Sequence, residues 1–295
     1  VQRTEEINQL NVLMAAGTAP DIIFTYNAGA AYNWAKQGGL TDLTQIIEEH
    51  GQNLKAYLGD ALNYGVFDGK QYAVVARRVQ LEKYSSIIRQ DWLDAAGLPV
   101  PKTTEETYNA LKKFKEMNLG GARTIPLSFA LTPDSYEPIT WAFIKEQSDE
   151  ARYLKAVTIG SREYPILIDG HKDALRFLNK LYNEGLIDPD FALDKDKKKR
   201  EENFVNGYTG IYTADVNTYY YGGDTSLINQ LKKNVPGADV TPLLPWTDFE
   251  GKSRQPAYTP SGMYIMVPSF SERAVEAIKY LNWLAQDEVI QYMSF

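Results

Sequence analysis

Histidine and cysteine, the side chains most used for general-base catalysis and for binding transition metals, are almost absent from this sequence. His50 and His171 are the only histidines, each in a polar stretch of helical character, and there is no cysteine. Two histidines far apart in sequence do not favour a histidine-based zinc site or a histidine general base. The lack of cysteine excludes disulfides and thiol chemistry. The pattern predicts two surface histidines. It is also compatible with an exported protein, which has no thiol to mispair in an oxidising compartment.

Carboxylates and tyrosines are the other side chains that could do chemistry. Any two of the 38 acidic residues could form the carboxylate pair of a glycoside hydrolase, and the sequence gives no pair priority. The run Tyr219-Tyr220-Tyr221 could offer phenolates to a ferric ion, although no histidine stands near it. The aspartates between Asp188 and Asp196 lack the glycine and terminal glutamate of a calcium loop. A hydrolase and an iron-binding protein stay open as alternatives.

Size and composition narrow the class of protein. The chain has 295 residues, 44% hydrophobic and 23% charged, which suits a globular protein with room for two domains. A net charge of -7 argues against a nucleic-acid partner, which needs a concentrated basic surface. No apolar stretch approaches the roughly 20 residues of a membrane span. Most of the 20 tyrosines and 5 tryptophans are expected in cores, and a minority could line a groove that covers sugar faces.

The elements that would position such side chains alternate between short strands and helices. Asp21–Thr25 predicts a buried strand that opens into loop 26–32, and Gly210–Thr213 predicts another that opens into loop 214–221. The alternation predicts mainly parallel sheets with helices on both faces, and such sheets bind ligands at the carboxyl ends of their strands. We therefore expect both loops to lie at a ligand site.

One segment shows a complete strand, connection and helix. Tyr84–Ile88 predicts a buried strand, and Gly97 would end the short helical turn 91–96 that follows. Thr103 and Glu106 predict a capping box at the start of the next helix. The apolar face of that helix is predicted to consist of Tyr108, Leu111, Phe114 and Met117. The segment is typical of a strand and helix packed on one core.

Shorter signals predict turns and caps. Asp68-Gly69 and Glu250-Gly251 predict hairpin turns, and Ser271 predicts the N-cap of a helix. The basic stretch from Asp194 to Glu202 predicts a solvated loop that enters a helix, with a docking patch as the alternative.

Six segments along the chain occur in the order of a known family. They are Leu13-Met14-Ala15-Ala16-Gly17 with Pro20-Asp21-Ile22-Ile23, Gly39-Leu40-Thr41-Asp42-Leu43, Asp68-Gly69-Lys70-Gln71-Tyr72-Ala73-Val74, the elbow from Arg89 to Pro101, Tyr182-Asn183-Glu184-Gly185-Leu186-Ile187-Asp188, and Gly207-Tyr208-Thr209-Gly210-Ile211. Together they resemble the extracellular solute-binding proteins of ABC importers, the cluster that includes maltose-binding protein. The resemblance is closest to the oligosaccharide-binding lipoproteins, including alginate-oligosaccharide receptors.

The resemblance implies a periplasmic-binding-protein-like α/β fold, with two α/β lobes joined by crossing hinge strands and a ligand cleft between them. Residues 1–80 and 258–295 would form one lobe and residues 81–257 the other, with hinges near 78–83 and 257–262. Family members begin with a strand before the first helix and continue well past Phe295. The resemblance therefore implies a chain truncated at both ends, with the lipid-bearing cysteine upstream.

The implied function is that of a non-catalytic receptor that captures an oligosaccharide and delivers it to ABC transporter permease subunits. The neighbouring Arg77 and Arg78 at the first hinge favour an acidic sugar. The receptor would be an extracellular, lipid-anchored or periplasmic monomer with no cofactor and no nucleic-acid partner. The alternatives are a ferric or small-anion receptor of the same fold, a hydrolase that uses two carboxylates, and a structural surface protein.

When the family's ligand-binding positions are matched to this sequence, the resemblance implies one set of ligand-binding residues. The set is Tyr26, Asn27, Tyr32, Arg77, Arg78, Gln80, Glu82, Asp215, Asn217, Tyr219, Tyr220, Tyr258 and Ser261. Carboxylates and amides would share hydrogen bonds with hydroxyl pairs, arginine would donate to hydroxyls or a uronate, and tyrosine rings would stack on sugar faces. Arg89, Asp91 and Trp92 are assigned to the scaffold because they begin a turn and helix.

Two departures from the family bear on the ligand. Calcium-holding members place several aspartates between the helix after the elbow and the next strand, whereas the stretch 118–124 has none, so we predict no such calcium and no other metal. Val216 stands where alginate-type receptors carry a tryptophan. A stacking platform is lost there, and the ligand is expected to differ from alginate.

Overall fold

The computed structural model describes residues 5–78, 80–145, 147–159, 169–244, 246–247, 252 and 257–294. The chain divides into two compact units, of which unit 1 is Val1–Leu81 with Tyr258–Phe295 and unit 2 is Glu82–Ala257. The division expected from the sequence has its first boundary one residue earlier. Among the described helices, none combines the length and apolar character that crossing a membrane requires.

Unit 1 holds six helices and five strands among its described residues. They are α1 (Glu6–Ala15), β1 (Ile23–Thr25), α2 (Ala28–Lys36), α3 (Thr44–His50), α4 (Gln52–Leu58), β2 (Val66–Phe67), β3 (Lys70–Gln71), β4 (Val74–Arg77), β9 (Ser261–Met266), α12 (Ala274–Leu284) and α13 (Asp287–Ser294). The elements of unit 2 are β5 (Tyr84–Arg89), α5 (Gln90–Ala96), α6 (Thr104–Glu116), β6 (Ile125–Leu127), α7 (Pro133–Trp141), α8 (Asp149–Ile159), α9 (His171–Asn183), α10 (Lys198–Val205), β7 (Thr209–Asp215), α11 (Leu227–Asn234) and β8 (Val240–Leu243).

The sheet of unit 1 has the strand order β1-β9-β4, and both pairs are antiparallel. Strand β9 is central, so Tyr264 lies beside Thr25 on one side and Val75 on the other. The prediction of a mainly parallel sheet is therefore wrong for this unit. Its cause is connectivity: β4 precedes the segment that enters unit 2 and β9 follows the segment that returns, so the two strands run in opposite directions.

The sheet of unit 2 has the order β6-β7-β5-β8. Strand β5 is antiparallel to both β7 and β8, and among the described strand pairs only β6 and β7 are parallel. The mainly parallel prediction is wrong here too, because alternation of strands and helices along a chain does not fix the direction in which the strands pair. The α/β character of the fold is nevertheless present in both units.

Each sheet has a hydrophobic cluster on both faces. Val75 belongs to one cluster of unit 1 and Val74 to the other, because successive residues of a strand point to opposite faces. In unit 2, Ile88 belongs to the larger cluster and Ile87 to the smaller one. Burial on both faces fixes the register of β4 and β5, since a shift by one residue would exchange the faces.

The strand and helix predicted at 84–117 are confirmed. Gly97 ends α5 with a φ of 65°, in the left-handed region that favours glycine. The capping box is present, with the Glu106 amide donating to the Thr103 hydroxyl at 3.1 Å and the Thr103 amide donating to the Glu106 carboxylate at 3.2 Å. Met117 does not belong to the predicted buried face, since α6 ends at Glu116 and Met117 is 38% exposed.

The scaffold assignment of the elbow is also confirmed. The buried Arg89 donates to both carboxylate oxygens of Asp91, at 2.7 and 2.6 Å, and to the carbonyl of Gly207 at 3.1 Å. Its guanidinium also lies 5.0 Å from the ring of Trp92, which is buried. These partners of Arg89 all belong to unit 2, so its guanidinium stabilises the fold of that unit.

The turn and cap signals have mixed outcomes. Asp68 and Gly69 form the predicted hairpin between β2 and β3, with φ values of 50° and 80°. Ser271 is not the N-cap of α12, which begins after Arg273. The Ser271 hydroxyl instead donates to Asp21 at 2.7 Å and accepts from the Arg273 amide at 3.2 Å. The hairpin predicted at 250–251 lies outside the described residues.

The stretch 194–202 is less solvated than predicted. Arg200 is 3% exposed, and its guanidinium lies 2.7 Å from the Asp134 carboxylate. Asp194 is also buried and accepts from the amides of Lys199 and Arg200 at 3.2 and 2.9 Å, which caps the first turn of α10. The local pattern of charges cannot show that Arg200 is buried, because its partner Asp134 lies 66 positions away.

Candidate functional site

The loop after β1 presents one exposed ring and one helix cap. Tyr26 is 49% exposed, and its ring lies edge-on to Phe24 at 6.4 Å between centroids. Asn27 is the N-cap of α2, since its side-chain oxygen accepts from the Ala30 amide at 3.0 Å. The oxygen of Asn27 is therefore committed to the helix, and its amide nitrogen is the group that remains for a ligand.

A row of rings runs through unit 1 from Tyr32 inward. The Tyr32 ring meets Phe67 edge-on at 5.8 Å, and Phe67 stacks on Tyr264 at 6.2 Å. Lys36 lies 5.9 Å from the Tyr32 centroid. Phe67 and Tyr264 were not among the predicted site residues, although Phe67 directly precedes the Asp68 turn. The row fixes the orientation of Tyr32, which is 36% exposed.

Arg77 and Arg78 differ in their surroundings. Arg77 ends β4, is exposed, and pairs across the sheet with Ser261. The guanidinium of Arg78 lies 4.1 Å from the ring centroid of Tyr258, and the Arg78 amide donates to the Pro260 carbonyl at 2.8 Å. Arg78 is thus held against an aromatic ring, whereas Arg77 is exposed at the end of β4.

Two further candidates in unit 1, Gln80 and Ser261, differ in their exposure to solvent. Gln80 is exposed. Ser261 is 3% exposed, and its hydroxyl lies 3.2 Å from the Thr259 hydroxyl and 3.4 Å from the Tyr264 hydroxyl. The side chain of Ser261 is therefore buried with its hydroxyl close to two other hydroxyls, which does not favour the predicted ligand contact.

The loop after β7 presents the polar side chains of unit 2. Asp215 is partly exposed, and its carbonyl accepts from the Thr218 amide at 2.9 Å. Asn217 is exposed, and its carbonyl accepts from the Tyr221 amide at 3.1 Å. These backbone bonds shape the turn, leave both side chains at its surface, and present Tyr220, whose ring is 66% exposed.

Glu82 begins unit 2 and is exposed. It forms an isolated antiparallel bridge with Ala257, the last residue of the unit. The carboxylate of Glu82 is therefore placed where the chain enters and leaves unit 2.

Tyr219 belongs to the core rather than to the site. It is 1% exposed, its hydroxyl donates to the Ser85 carbonyl, and it accepts from the Ala214 amide at 2.9 Å. Burial raises the pKa of Tyr219, so the phenol stays protonated. Burial and these backbone hydrogen bonds do not favour the predicted ligand contact of Tyr219, nor the alternative in which it offers a phenolate to a ferric ion.

The structure adds a charged cluster that the sequence did not indicate. Lys83 Nζ lies 3.4 Å from Glu137 and 4.7 Å from the ring centroid of Tyr84. Burial, followed by the nearby charge of Glu137, raises the pKa of Tyr84, which lies opposite Asp215 in the sheet. The cluster therefore flanks Asp215. No local pattern could reveal it, since Glu137 lies on α7, 54 positions from Lys83.

No metal site is evident within the described part of the chain, where no three histidine or acidic side chains converge to hold an ion. His50 and His171, predicted at the surface, are each partly exposed, and partial burial lowers the pKa of His171. A groove of about 490 Å³ between α1 and α2 is lined by Asn11 and Trp34 among others, and none of the predicted site residues lines it.

The two α/β units and their sheet orders define the class of protein. The fold is that of the periplasmic binding proteins. The chain belongs to the bacterial extracellular solute-binding protein family, which it matches over residues 2–291.

Two individual relatives of the chain share less than a third of their aligned residues with it. The chain is 27% identical over 243 residues to the polygalacturonan/rhamnogalacturonan-binding protein of Bacillus subtilis. The matched region covers 79% of this chain and 47% of that protein. It is 28% identical over 198 residues to a fructooligosaccharide ABC transporter substrate-binding protein of Streptococcus pneumoniae, covering 60% of this chain and 36% of that protein. The chain thus spans less than half the length of each of these relatives.

Solved structures share the fold. An alginate-binding protein without calcium ion superimposes with a TM-score of 0.67 at 22% identity, over 96% of this chain and 58% of that one. The fructooligosaccharide-binding protein of Streptococcus pneumoniae in complex with kestose gives a TM-score of 0.68 at 19% identity, over 94% of this chain and 58% of that one. At these identities the likeness concerns the fold alone.

Proposed function

We propose that this chain is the ligand-capturing part of an ABC-importer receptor that binds an oligosaccharide and does not alter it. The observation that carries the proposal is the grouping of exposed tyrosine rings with amide, carboxylate or guanidinium groups at strand ends in each unit. Tyr26 and Tyr32 accompany Asn27 in unit 1, and Tyr220 accompanies Asp215 in unit 2. Family membership supports the same conclusion.

The chemistry of these groups suits a sugar. A tyrosine ring covers the apolar face of a pyranose while its hydroxyl stays solvated. The Asn27 amide nitrogen can donate to a sugar hydroxyl, and the carboxylates of Glu82 and Asp215 can each accept from two adjacent hydroxyls. A small number of placed polar groups among aromatic rings is the usual composition of a ligand site.

The partners and location follow from the same proposal. The receptor would deliver its ligand to permease subunits, act outside the cytoplasmic membrane with a lipid anchor or in the periplasm, and work as a monomer. Names of relatives support this, since the Streptococcus pneumoniae relative is described as a substrate-binding protein of an ABC transporter and a second Bacillus subtilis relative as a lipoprotein.

A thermal-shift screen of the full chain against plant, algal and glycosaminoglycan oligosaccharides, followed by calorimetry, tests the proposal. A ligand at 100 times its Kd should stabilise the native state by about 2.7 kcal/mol. Tyr220→Ala should weaken binding about tenfold by removing a stacking ring. Tyr221→Ala is the matched control, because Tyr221 is 84% exposed, was not assigned to the site, and should leave affinity unchanged.

Three results would contradict the proposal. One is that no oligosaccharide raises the melting temperature. Another is release of sugar products that disappears in Asp215→Asn, which would favour the hydrolase. The third is a visible charge-transfer band on adding ferric ion, with no response to sugars, which would favour the iron receptor.

A further inference from the structure

The candidate residues of unit 1 form a cationic set in an acidic protein. The chain has a net charge of -7, yet this set contains Arg77 and Arg78 and no carboxylate. Lys36 adds a third cation beside Tyr32, 5.9 Å from its ring. Because the chain as a whole is acidic, its composition does not account for a group of positive charges without a carboxylate. The position of these cations in the fold has to account for it.

Arg78 is oriented by its neighbours. Its guanidinium lies 4.1 Å from the Tyr258 ring centroid, and both side chains are partly buried. The Arg78 Nε is shielded from solvent and has no hydrogen-bond partner among the described residues. A guanidinium that stacks on a ring keeps its N–H donors in its own plane, so Nη1 and Nη2 are the groups left to donate to a ligand.

No acidic side chain of the described residues neutralises Arg78. The buried Arg89 and Arg200 each have an aspartate within 2.7 Å, whereas no ion pair joins Arg78 to a described carboxylate. A partly buried cation without a counter-charge favours binding an anion, because part of its hydration is already lost.

Arg77 provides the contrast. It is exposed at the end of β4 and has no ring contact or ion pair with a described residue. A solvated, unoriented cation contributes little to specificity, since water and salt screen it. The two adjacent arginines are therefore not equivalent.

We infer that Arg78, held over Tyr258, binds the carboxylate of a sugar acid, so that the ligand class is oligosaccharides that contain uronic acids. This inference rests on the proposed function and names the substrate class of the same site. The carboxylate accepts two parallel N–H···O bonds from Nη1 and Nη2, a geometry that arginine matches better than lysine. A neutral sugar leaves the cation without its counter-charge and is disfavoured for that reason.

Calorimetry on the full chain with trigalacturonate and its fully methyl-esterified form tests the inference, because esterification removes the charge and keeps the skeleton. The acid should bind at least about tenfold more tightly than the ester. Arg78→Gln should weaken binding of the acid at least about tenfold and leave the ester nearly unaffected. Arg78→Lys, which keeps the charge and loses the planar pair of donors, should fall between the wild type and Arg78→Gln.

Two control variants separate this role from loss of charge or folding. Arg123→Gln removes an exposed arginine that lies 5.6 Å from the Tyr208 ring in unit 2, so it deletes the same kind of contact elsewhere. It should leave the affinity for the acid unchanged. Arg77→Gln should weaken it by less than about fivefold, and only at low salt. Melting temperatures without ligand show whether each variant folds.

The outcomes that overturn the inference differ from those that overturn the receptor itself. Binding of neutral oligosaccharides with equal or higher affinity, or an unchanged affinity in a folded Arg78→Gln, rejects the uronic-acid class and leaves the receptor intact. Inorganic phosphate or sulfate that binds as tightly as trigalacturonate would show a small-anion site instead. Failure of every acidic and neutral sugar to bind rejects the proposed function together with the inference.

Discussion

The Arg200 guanidinium lies 2.7 Å from the Asp134 carboxylate, and both residues are 3% exposed. Arg200 also donates to the Ser135 hydroxyl, and Lys197 reaches the second oxygen of Asp134 at 3.1 Å. The pair joins α10 to the start of α7. Removing one partner of such a pair leaves an uncompensated buried charge.

Replacing Asp134 with asparagine should lower the free energy of unfolding by about 3–5 kcal/mol, because Arg200 and Lys197 then lose their shared counter-charge. Urea unfolding followed by tryptophan fluorescence measures this loss. Asp173→Asn is the matched control, since Asp173 pairs with Arg176 at 2.8 Å on the surface and should cost less than about 1 kcal/mol. Equal effects of the two substitutions would contradict a structural role for the buried pair.

The same pair predicts a loss of stability in acid. Burial opposes the ionisation of Asp134, but the charge and hydrogen bond of Arg200 outweigh it and lower the pKa of the carboxyl. A depressed folded-state pKa contributes stability that is present above the unfolded value of about 3.9 and is lost as pH falls through the folded value. Urea midpoints at a series of pH values should show the difference between wild type and Asp134→Asn shrinking below about pH 4. A difference that stays constant into strong acid would show that Asp134 does not titrate in this way.

Replacement by phenylalanine should lower the stability of the protein at Tyr219 and leave it unchanged at Tyr221. Tyr219→Phe removes the hydroxyl that accepts from the buried Ala214 amide and should cost about 1–3 kcal/mol. Tyr221→Phe changes a ring that is 84% exposed and should be neutral within about 0.5 kcal/mol. Chemical denaturation of both variants checks this, and a neutral Tyr219→Phe would return that hydroxyl to the list of site candidates.

The capping box of α6 should be worth more than the hydroxyl of Ser271. Thr103→Ala removes the acceptor for the Glu106 amide and should lower the free energy of unfolding by about 1 kcal/mol. Ser271→Ala should cost less than about 0.5 kcal/mol, since Ser271 lies before the N-cap of α12 and is partly exposed. Melting temperatures of the two variants should rank in that order, and the reverse order would restore Ser271 as the cap.

Local patterns predicted the elements of this fold well. The strand β5, the glycine that ends α5 and the capping box of α6 each depend on residues close in sequence, so periodicity and caps indicate them directly. The direction of strand pairing was not predictable in that way. It depends on which strands leave and re-enter a unit, a property of the whole chain and not of any window.

The candidate site was predicted at the level of loops rather than of side chains. The loops after β1 and β7 carry exposed polar and aromatic groups, but Tyr219 in the second loop and Ser261 at the start of β9 are buried, and the sequence did not indicate Glu137. A run of tyrosines does not tell which ring points inward, because a turn has no fixed side-chain period. Contacts such as Lys83 with Glu137 join residues far apart in sequence, and only the fold brings them together.

The anchoring of Tyr219 has a consequence for the thermodynamics of capture. Its hydroxyl ties the carbonyl of Ser85 to the amide of Ala214, directly before the turn that presents Tyr220. Much of the conformational entropy of this loop is therefore lost when the chain folds rather than when a ligand arrives. Preorganisation of that kind leaves more of the contact energy of Tyr220 available for affinity, and it favours a rate of association limited by encounter rather than by rearrangement of the loop.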